Sequence, residues 1–110
     1  MADAYKVLGQ SAPSAATLTG VYTVGASTEA VVSTVVVANR SATPTAFRIS
    51  VAPAGASDAT SQYLYYDVAI DGNDTFAATI GLTLATTDVV RVYATLATLS
   101  FSLFGTEITA

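Results

Sequence analysis

The chain has 110 residues, of which 52% are hydrophobic and only 11% are charged, and its net charge is −4. This length predicts a single domain, residues 1–110, with a modest core. Its four cations, Lys6, Arg40, Arg48 and Arg91, are too few and too scattered to neutralise a run of phosphates, so we expect no nucleic-acid partner. No apolar run approaches the ~20 residues of a membrane-spanning helix, so we expect no membrane partner either.

The first part of the chain has no apolar signal segment, which predicts that the protein is not secreted. Residues 10–16 contain Pro13 among small polar residues, a pattern typical of a loop. We therefore interpret residues 1–19 as a candidate extended N-terminal arm, with a first short strand predicted at residues 20–24.

Residues 30–38 are the most β-prone run in the chain, and both of their faces are apolar or carry Ser and Thr. This pattern places the run at the centre of a sheet or against a partner. Val32 and Val36 within it are candidate interface residues.

Two strands with alternating side chains follow. In residues 46–51, the pattern predicts that Phe47, Ile49 and Val51 point inward, with Arg48 and Ser50 outward. In residues 62–70, it places Tyr63, Tyr65 and Asp67 on one face and Leu64, Tyr66 and Val68 on the other. Tyr63 and Tyr65 are candidate interface residues, which could fill a subunit contact, stack on sugars or simply be half-buried in a sandwich.

The C-terminal half continues with turns and strands. Residues 71–74 predict a tight hairpin turn, because Asp-Gly readily adopts positive φ. Phe76, Ala78 and Ile80 alternate with small residues, and residues 81–87 read as a connection. The strands at residues 89–94 and 99–107 are separated by residues 95–98, a spacing typical of a hairpin. These elements predict an all-β fold, an antiparallel β-sandwich of jelly-roll or immunoglobulin-like type with seven to eight short strands.

The chain has no His and no Cys, which removes the usual bases, thiol nucleophiles and soft metal ligands. The carboxylates Asp67, Asp71, Asp74 and Glu107 show no pattern that pairs them in a cleft. The turn at residues 71–74 lacks the distal Glu of a calcium loop, so a plain turn is the preferred interpretation. We expect a protein that is not an enzyme and needs no metal or cofactor.

Several segments together resemble a known family, and the resemblance extends over essentially the whole chain. They are residues 5–11, 21–24, 48–55, 73–75 and 99–107. These segments are similar to small virion structural proteins of tailed bacteriophages. Their motifs are strand and turn patterns, so no functional residues are carried over from the family.

The resemblance implies a structural subunit of the particle, assembled in the host cytoplasm, in the capsid as a decoration or cement protein, or in the neck, tail or baseplate. Its partners would be other copies of itself, with a trimer as the first expectation, and other virion proteins. The alternative is a fibre or surface-adhesion module that binds host glycans through Tyr63 and Tyr65. The low content of charged residues is consistent with a surface that a partner covers.

Overall fold

The computed structural model describes residues 2–109, and they form eight strands and two single 3-10 turns. The strands are β1 (Ala2–Ser11), β2 (Thr19–Thr23), β3 (Thr28–Asn39), β4 (Thr45–Ala52), β5 (Tyr63–Ile70), β6 (Thr75–Leu84), β7 (Val89–Ala94) and β8 (Leu99–Thr109). The 3-10 turns, Pro53–Gly55 and Thr60–Gln62, lie between β4 and β5. Val, Ile and Thr are common in these runs, above all in β3, and their branched side chains favour strands over helices.

The strands form two antiparallel sheets of four, in the order β1-β8-β3-β6 (sheet I) and β2-β7-β4-β5 (sheet II). Consecutive strands alternate between the sheets, except for β4 and β5, which are neighbours in sheet II. An immunoglobulin-like domain places its first two strands side by side. Here β1 and β2 lie in opposite sheets, and the arrangement is that of an eight-stranded jelly roll. The predicted antiparallel β-sandwich is confirmed.

The core lies between the two sheets and is built by the inward positions of both. Val90, Val92, Leu99, Phe101 and Leu103 are all buried there, as their alternation predicts. The other large hydrophobic side chains that are fully buried are Phe47, Ile49, Val24, Val32, Val35 and Val37. The run at residues 30–38 lies in β3, which pairs with β8 on one side and β6 on the other, so its predicted central position is confirmed.

Two predicted hairpins are wrong. Residues 95–98 join β7 in sheet II to β8 in sheet I, and residues 71–74 join β5 in sheet II to β6 in sheet I. Both segments cross from one sheet to the other. A four-residue connection can close a hairpin or span two packed sheets. Alternating strand sequences flank both kinds of connection, so the sequence does not distinguish them.

One strand lies within the candidate N-terminal arm, and another extends well beyond its predicted end. Residues 2–11, part of the candidate arm, form β1 and pair with β8 from Ala2↔Thr109 to Ser11↔Phe101. Strand β6 runs on to Leu84, so only residues 85–88 connect it to β7. Gly81 suggested a break, but the ladder with β3 continues beyond it after a register shift. Residues 2–109 contain no helix with the length and apolar character needed to cross a membrane.

Candidate interaction surfaces

The two candidate valines of β3 lie on opposite faces of sheet I. Val32 is completely buried between the sheets, so it belongs to the core and is not available to a partner. Val36 points outward, beside Ser102 of β8 and Ala77 of β6, and is half-buried. A register shift between Val32 and Thr34 inserts one extra residue and exchanges the two faces, which simple alternation could not reveal.

On the outer side of sheet I, three cross-strand rows of side chains form a surface that we call the uncharged face. Cross-strand partners point to the same side of a sheet. The register therefore aligns Tyr5, Thr106 and Val31 in one row, Val7, Phe104 and Thr34 in the next, and Gln10, Ser102 and Val36 in a third. Tyr5 is 84% exposed and Val7 is 48% exposed, although both are large and apolar.

Charges lie only at one end of this outer surface among residues 2–109. Asp3 and Glu29 are both partners of Ile108, in the row beyond Tyr5. Lys6 and Glu107 fall on the opposite side of their strands, and their side chains contact each other there. The uncharged face is therefore a β surface of Val, Phe, Tyr, Thr, Ser and Gln side chains.

The candidate tyrosines of β5 also lie on opposite faces, in contrast to the prediction that they share one. Tyr65 packs inward, with its ring centroid 6.3 Å from that of Phe47 and 5.4 Å from that of Phe76. Tyr63 is the partner of Ser50 on the outer side, and its ring contacts the ring of Tyr66 at 5.1 Å. The ladder shifts register twice between β4 and β5, and each shift reverses the alternation.

Arg48 is the centre of a cluster on the outer side of sheet II, which we call the Arg48 cluster (Arg48, Tyr63, Tyr66, Asp67 and Tyr93). Arg48 Nε donates to Asp67 Oδ1 at 2.6 Å, and Nη2 donates to Oδ2 at 3.3 Å. The guanidinium lies 4.1 Å from the ring centroid of Tyr66 and 4.4 Å from that of Tyr93. The hydrogen bond to Asp67 raises the pKa of Arg48, so the guanidinium stays charged.

Asp67 reaches Arg48 because its backbone leaves the regular strand conformation. Its φ is 51°, in the left-handed region that non-glycine residues rarely adopt. At the other end of the cluster, the Tyr63 hydroxyl donates to Asp58 Oδ2 at 3.1 Å. Burial and this hydrogen bond raise the pKa of Tyr63. Sequence reasoning placed Arg48 outward but missed the cluster, because the pairing of β4 with β7 was unknown.

A loop covers part of the outer side of sheet II, beside the Arg48 cluster. Residues 53–62 fold back over the sheet, where Arg91 donates to the carbonyl oxygens of Ala56 at 2.8 Å and Gly55 at 3.3 Å. Ser50 is completely buried, although alternation places it outward. Asp88 anchors the loop by accepting a hydrogen bond from the Ala54 amide at 2.9 Å. The charges on this side therefore have partners within the chain.

Glu107 occupies the open end of the sandwich between the two sheets. Tyr22 OH donates to Glu107 Oε2, and Lys6 Nζ pairs with Oε1, both at 2.5 Å. The hydrogen bonds from Lys6 and Tyr22 lower the pKa of Glu107. Burial is the main cause that raises the pKa of Tyr22, and the hydrogen bond to the Glu107 carboxylate raises it further. The three side chains link β1 and β8 of sheet I to β2 of sheet II.

The candidate carboxylates do not converge. Asp67 pairs with Arg48, Glu107 pairs with Lys6, and Asp71 and Asp74 lie exposed in the turn between β5 and β6. Residues 2–109 contain no group of three or more side chains placed to hold a metal ion. Two open depressions lie on sheet I, one near Gln10 and Ser100 and the other near Glu29 and Leu84. Sheet I therefore offers a partner apolar contacts and hydrogen bonds.

Comparisons with protein-family models and with curated proteins find no match to this chain.

Proposed function

We propose that this chain is a non-enzymatic structural subunit of a tailed bacteriophage particle. In this role it associates with other copies of itself and binds the virion, as a capsid decoration (cement) protein or as a component of the neck, tail or baseplate. Assembly takes place in the host cytoplasm and requires no cofactor. The observation that carries the proposal is the uncharged face, displayed by an eight-stranded jelly roll of a type that capsid domains also use.

The two outer sides of the sandwich differ in a way that supports a binding role for sheet I. On sheet II, Arg48 and Arg91 are bound by Asp67 and by loop carbonyls, and residues 53–62 lie over the strands. The uncharged face has no covering loop among residues 2–109 and exposes Tyr5 and Val7. Soluble monomers rarely leave a broad surface without charges, with large apolar side chains such as Tyr5 and Val7 on it, open to water. A neighbouring protein in a particle would cover it.

The most direct test is the position and copy number of the protein in intact particles. Particles of a phage that encodes this chain would be purified and analysed by quantitative mass spectrometry and electron microscopy. We expect a fixed stoichiometry and density for a small β domain on the outside of the head, neck, tail or baseplate. Failure to find the protein in purified particles would reject the proposal.

A substitution on the uncharged face sharpens that test. Val7→Asp places a carboxylate on an exposed position of this face, whereas Thr23→Asp places the same group on an exposed position of β2 in sheet II. We expect Val7→Asp to reduce incorporation into particles at least tenfold and Thr23→Asp to leave it unchanged, with the thermal midpoints of both variants close to wild type. Equal incorporation of the two variants would show that another surface binds the virion.

Host-glycan binding is the second candidate, favoured by Tyr66, which is 57% exposed beside Tyr63 in the Arg48 cluster. Exposed aromatic rings can stack on sugars, and lectin domains also use jelly rolls. Arg48, however, already covers one face of the Tyr66 ring and one face of the Tyr93 ring. Titration with host surface glycans, followed by tyrosine fluorescence, tests this alternative, and saturable binding lost in Tyr66→Ala would support it.

Metal independence is part of the proposal. Protein atoms hold the turn at residues 71–74, because the Asn73 amide donates to Ser41 O at 2.8 Å and the Asn39 side chain donates to Asp71 O at 3.1 Å. We therefore expect excess chelator to leave the thermal midpoint unchanged. A fall of several degrees that calcium reverses would place a structural ion at this turn.

A further inference from the structure

The four edge strands of the sandwich are protected to different degrees. An edge strand exposes unpaired backbone N–H and C=O groups, and proteins protect such edges with charged residues, proline, bulges or short length. The edges here are β1 and β6 in sheet I and β2 and β5 in sheet II.

Three of these edges carry clear protection. Strand β1 contains Asp3 and Lys6 and has a register shift at Leu8. Its backbone also packs directly against β2, since a Cβ at Gly9 would lie only 2.3 Å from Val21 O. Strand β2 has five residues and a shift of its own. Strand β5 carries two shifts and Asp67.

Strand β6 is the least protected edge. Its ten residues, Thr75–Leu84, include no charged residue and no proline. Its one register shift lies near Ile80 and Gly81, and residues 75–79 pair regularly with β3 before it. The outward side chains there are small and exposed (Thr75, Ala77 and Thr79), and a Cβ at Gly81 would meet no atom within 4 Å.

We propose that β6 is the contact between copies of this chain, pairing antiparallel with β6 of a second copy. This inference rests on the proposed self-association and identifies the surface that performs it. Antiparallel pairing of one strand with itself is two-fold symmetric, so the contact closes as a dimer without further growth. Two uncharged strands bring no like charges together, and Thr side chains facing each other across the pair are favourable.

The dimer also explains the position of the uncharged face. The two-fold axis of an antiparallel strand pair is perpendicular to the sheet, so both copies would present this face on the same side. Sheet I would become a continuous sheet of eight strands, with β1 at its two ends. The uncharged surface offered to the virion would double. The basic unit would then be a dimer instead of the trimer that was the first expectation.

The test compares two matched threonine substitutions. Thr79→Lys places a charge at the proposed contact, and Thr23→Lys places the same charge on the exposed end of β2. Light scattering after gel filtration should give wild type and Thr23→Lys twice the chain mass of 11.2 kDa. Thr79→Lys should raise the dimer dissociation constant at least tenfold at an unchanged thermal midpoint. Ala77→Lys is the second variant if Thr79→Lys does not fold.

Hydrogen exchange on the wild-type protein gives an independent measurement. Amides of residues 75–79 should be more protected at high than at low protein concentration, and those of β2 should not change. A wild-type monomer at high micromolar concentration, a trimer, or equal dissociation constants for the two lysine variants would overturn the inference. A dimer absent from particles would instead refute the virion function alone, and a monomer present in particles would refute only the β6 contact.

Discussion

Phe47 is the aromatic centre of the core. Its ring centroid lies 5.1 Å from that of Phe76 and 6.2 Å from that of Phe101, and the side chain is fully buried. Phe47→Ala would remove these contacts and leave a cavity, so we expect the free energy of unfolding to fall by about 3–5 kcal/mol. Denaturant titration measures this loss.

Ser102→Ala is the control for that substitution. Ser102 lies on the uncharged face, where its hydroxyl accepts a single long hydrogen bond from Gln10 at 3.5 Å. We expect its loss to change stability by no more than about 0.5 kcal/mol. A cost for Ser102→Ala equal to that of Phe47→Ala would mean that the faces of sheet I have been assigned the wrong way round.

Glu107 gives the molecule an acid-sensitive link between its sheets. Its folded pKa lies below the ordinary value of 4.5, so its stabilising contribution is complete above that value and is lost as the pH falls through the folded pKa. Glu107→Gln should lower the urea midpoint at pH 7 and reduce the fall in midpoint between pH 7 and pH 3. Glu29→Gln, at an exposed carboxylate, is the matched control and should leave the stability measured by urea unfolding at pH 7 within about 0.5 kcal/mol of wild type.

At the scale of the element, the turn between β5 and β6 depends on a close backbone approach. A Cβ at Gly72 would lie 2.0 Å from Ala42 O, so Gly72→Ala must displace one of the two turns. We expect it to cost about 2–4 kcal/mol, a range typical of strain and overpacking. Gly81→Ala, in open space on β6, should change stability by less than about 1 kcal/mol. Thermal and denaturant unfolding measure the loss of stability in the two variants. Similar losses in Gly72→Ala and Gly81→Ala would show that the Ala42 contact does not require glycine.

The sequence correctly predicted a turn at residues 71–74, but the reason for the glycine differs from the predicted one. The Asp-Gly pair suggested a positive φ at glycine, yet the positive φ, 55°, belongs to Asn73. Gly72 is needed because Ala42 lies against it. That neighbour is about thirty residues away along the chain, and no local pattern reports it.

The strands and most of their inward residues were predictable, because alternation is a local property of a half-buried strand. Side chains near bulges were not: Val32, Ser50 and Tyr63 each lie where a register shift or a covering loop overrides alternation. A bulge depends on the partner strand, which sequence alone does not identify. The Arg48 cluster escaped prediction for the same reason, since it forms across β4, β5 and β7.

At the scale of the whole molecule, the jelly roll requires strands distant in sequence to meet. β1 pairs with β8, β3 with both β6 and β8, and β2 with β7, whereas β4 and β5 are the sole sequential pair among residues 2–109. Folding through such non-local pairing is slow, because loop closure must precede the contacts. We expect a folding time of milliseconds to seconds in stopped-flow refolding, and complete refolding within microseconds would contradict this expectation.

The pairing of β1 with β8 also determines where added sequence can leave the domain. Ala2 and Thr109 are register partners, so their Cα atoms lie about 5 Å apart. A peptide or cargo domain fused at either position would emerge from the same corner, at the edge of sheet I opposite β6. A short Gly-Ser linker could join the two positions, with new termini opened in the exposed residues 56–59, and every strand would remain intact. The fold is in this respect a natural scaffold for display and for circular permutation.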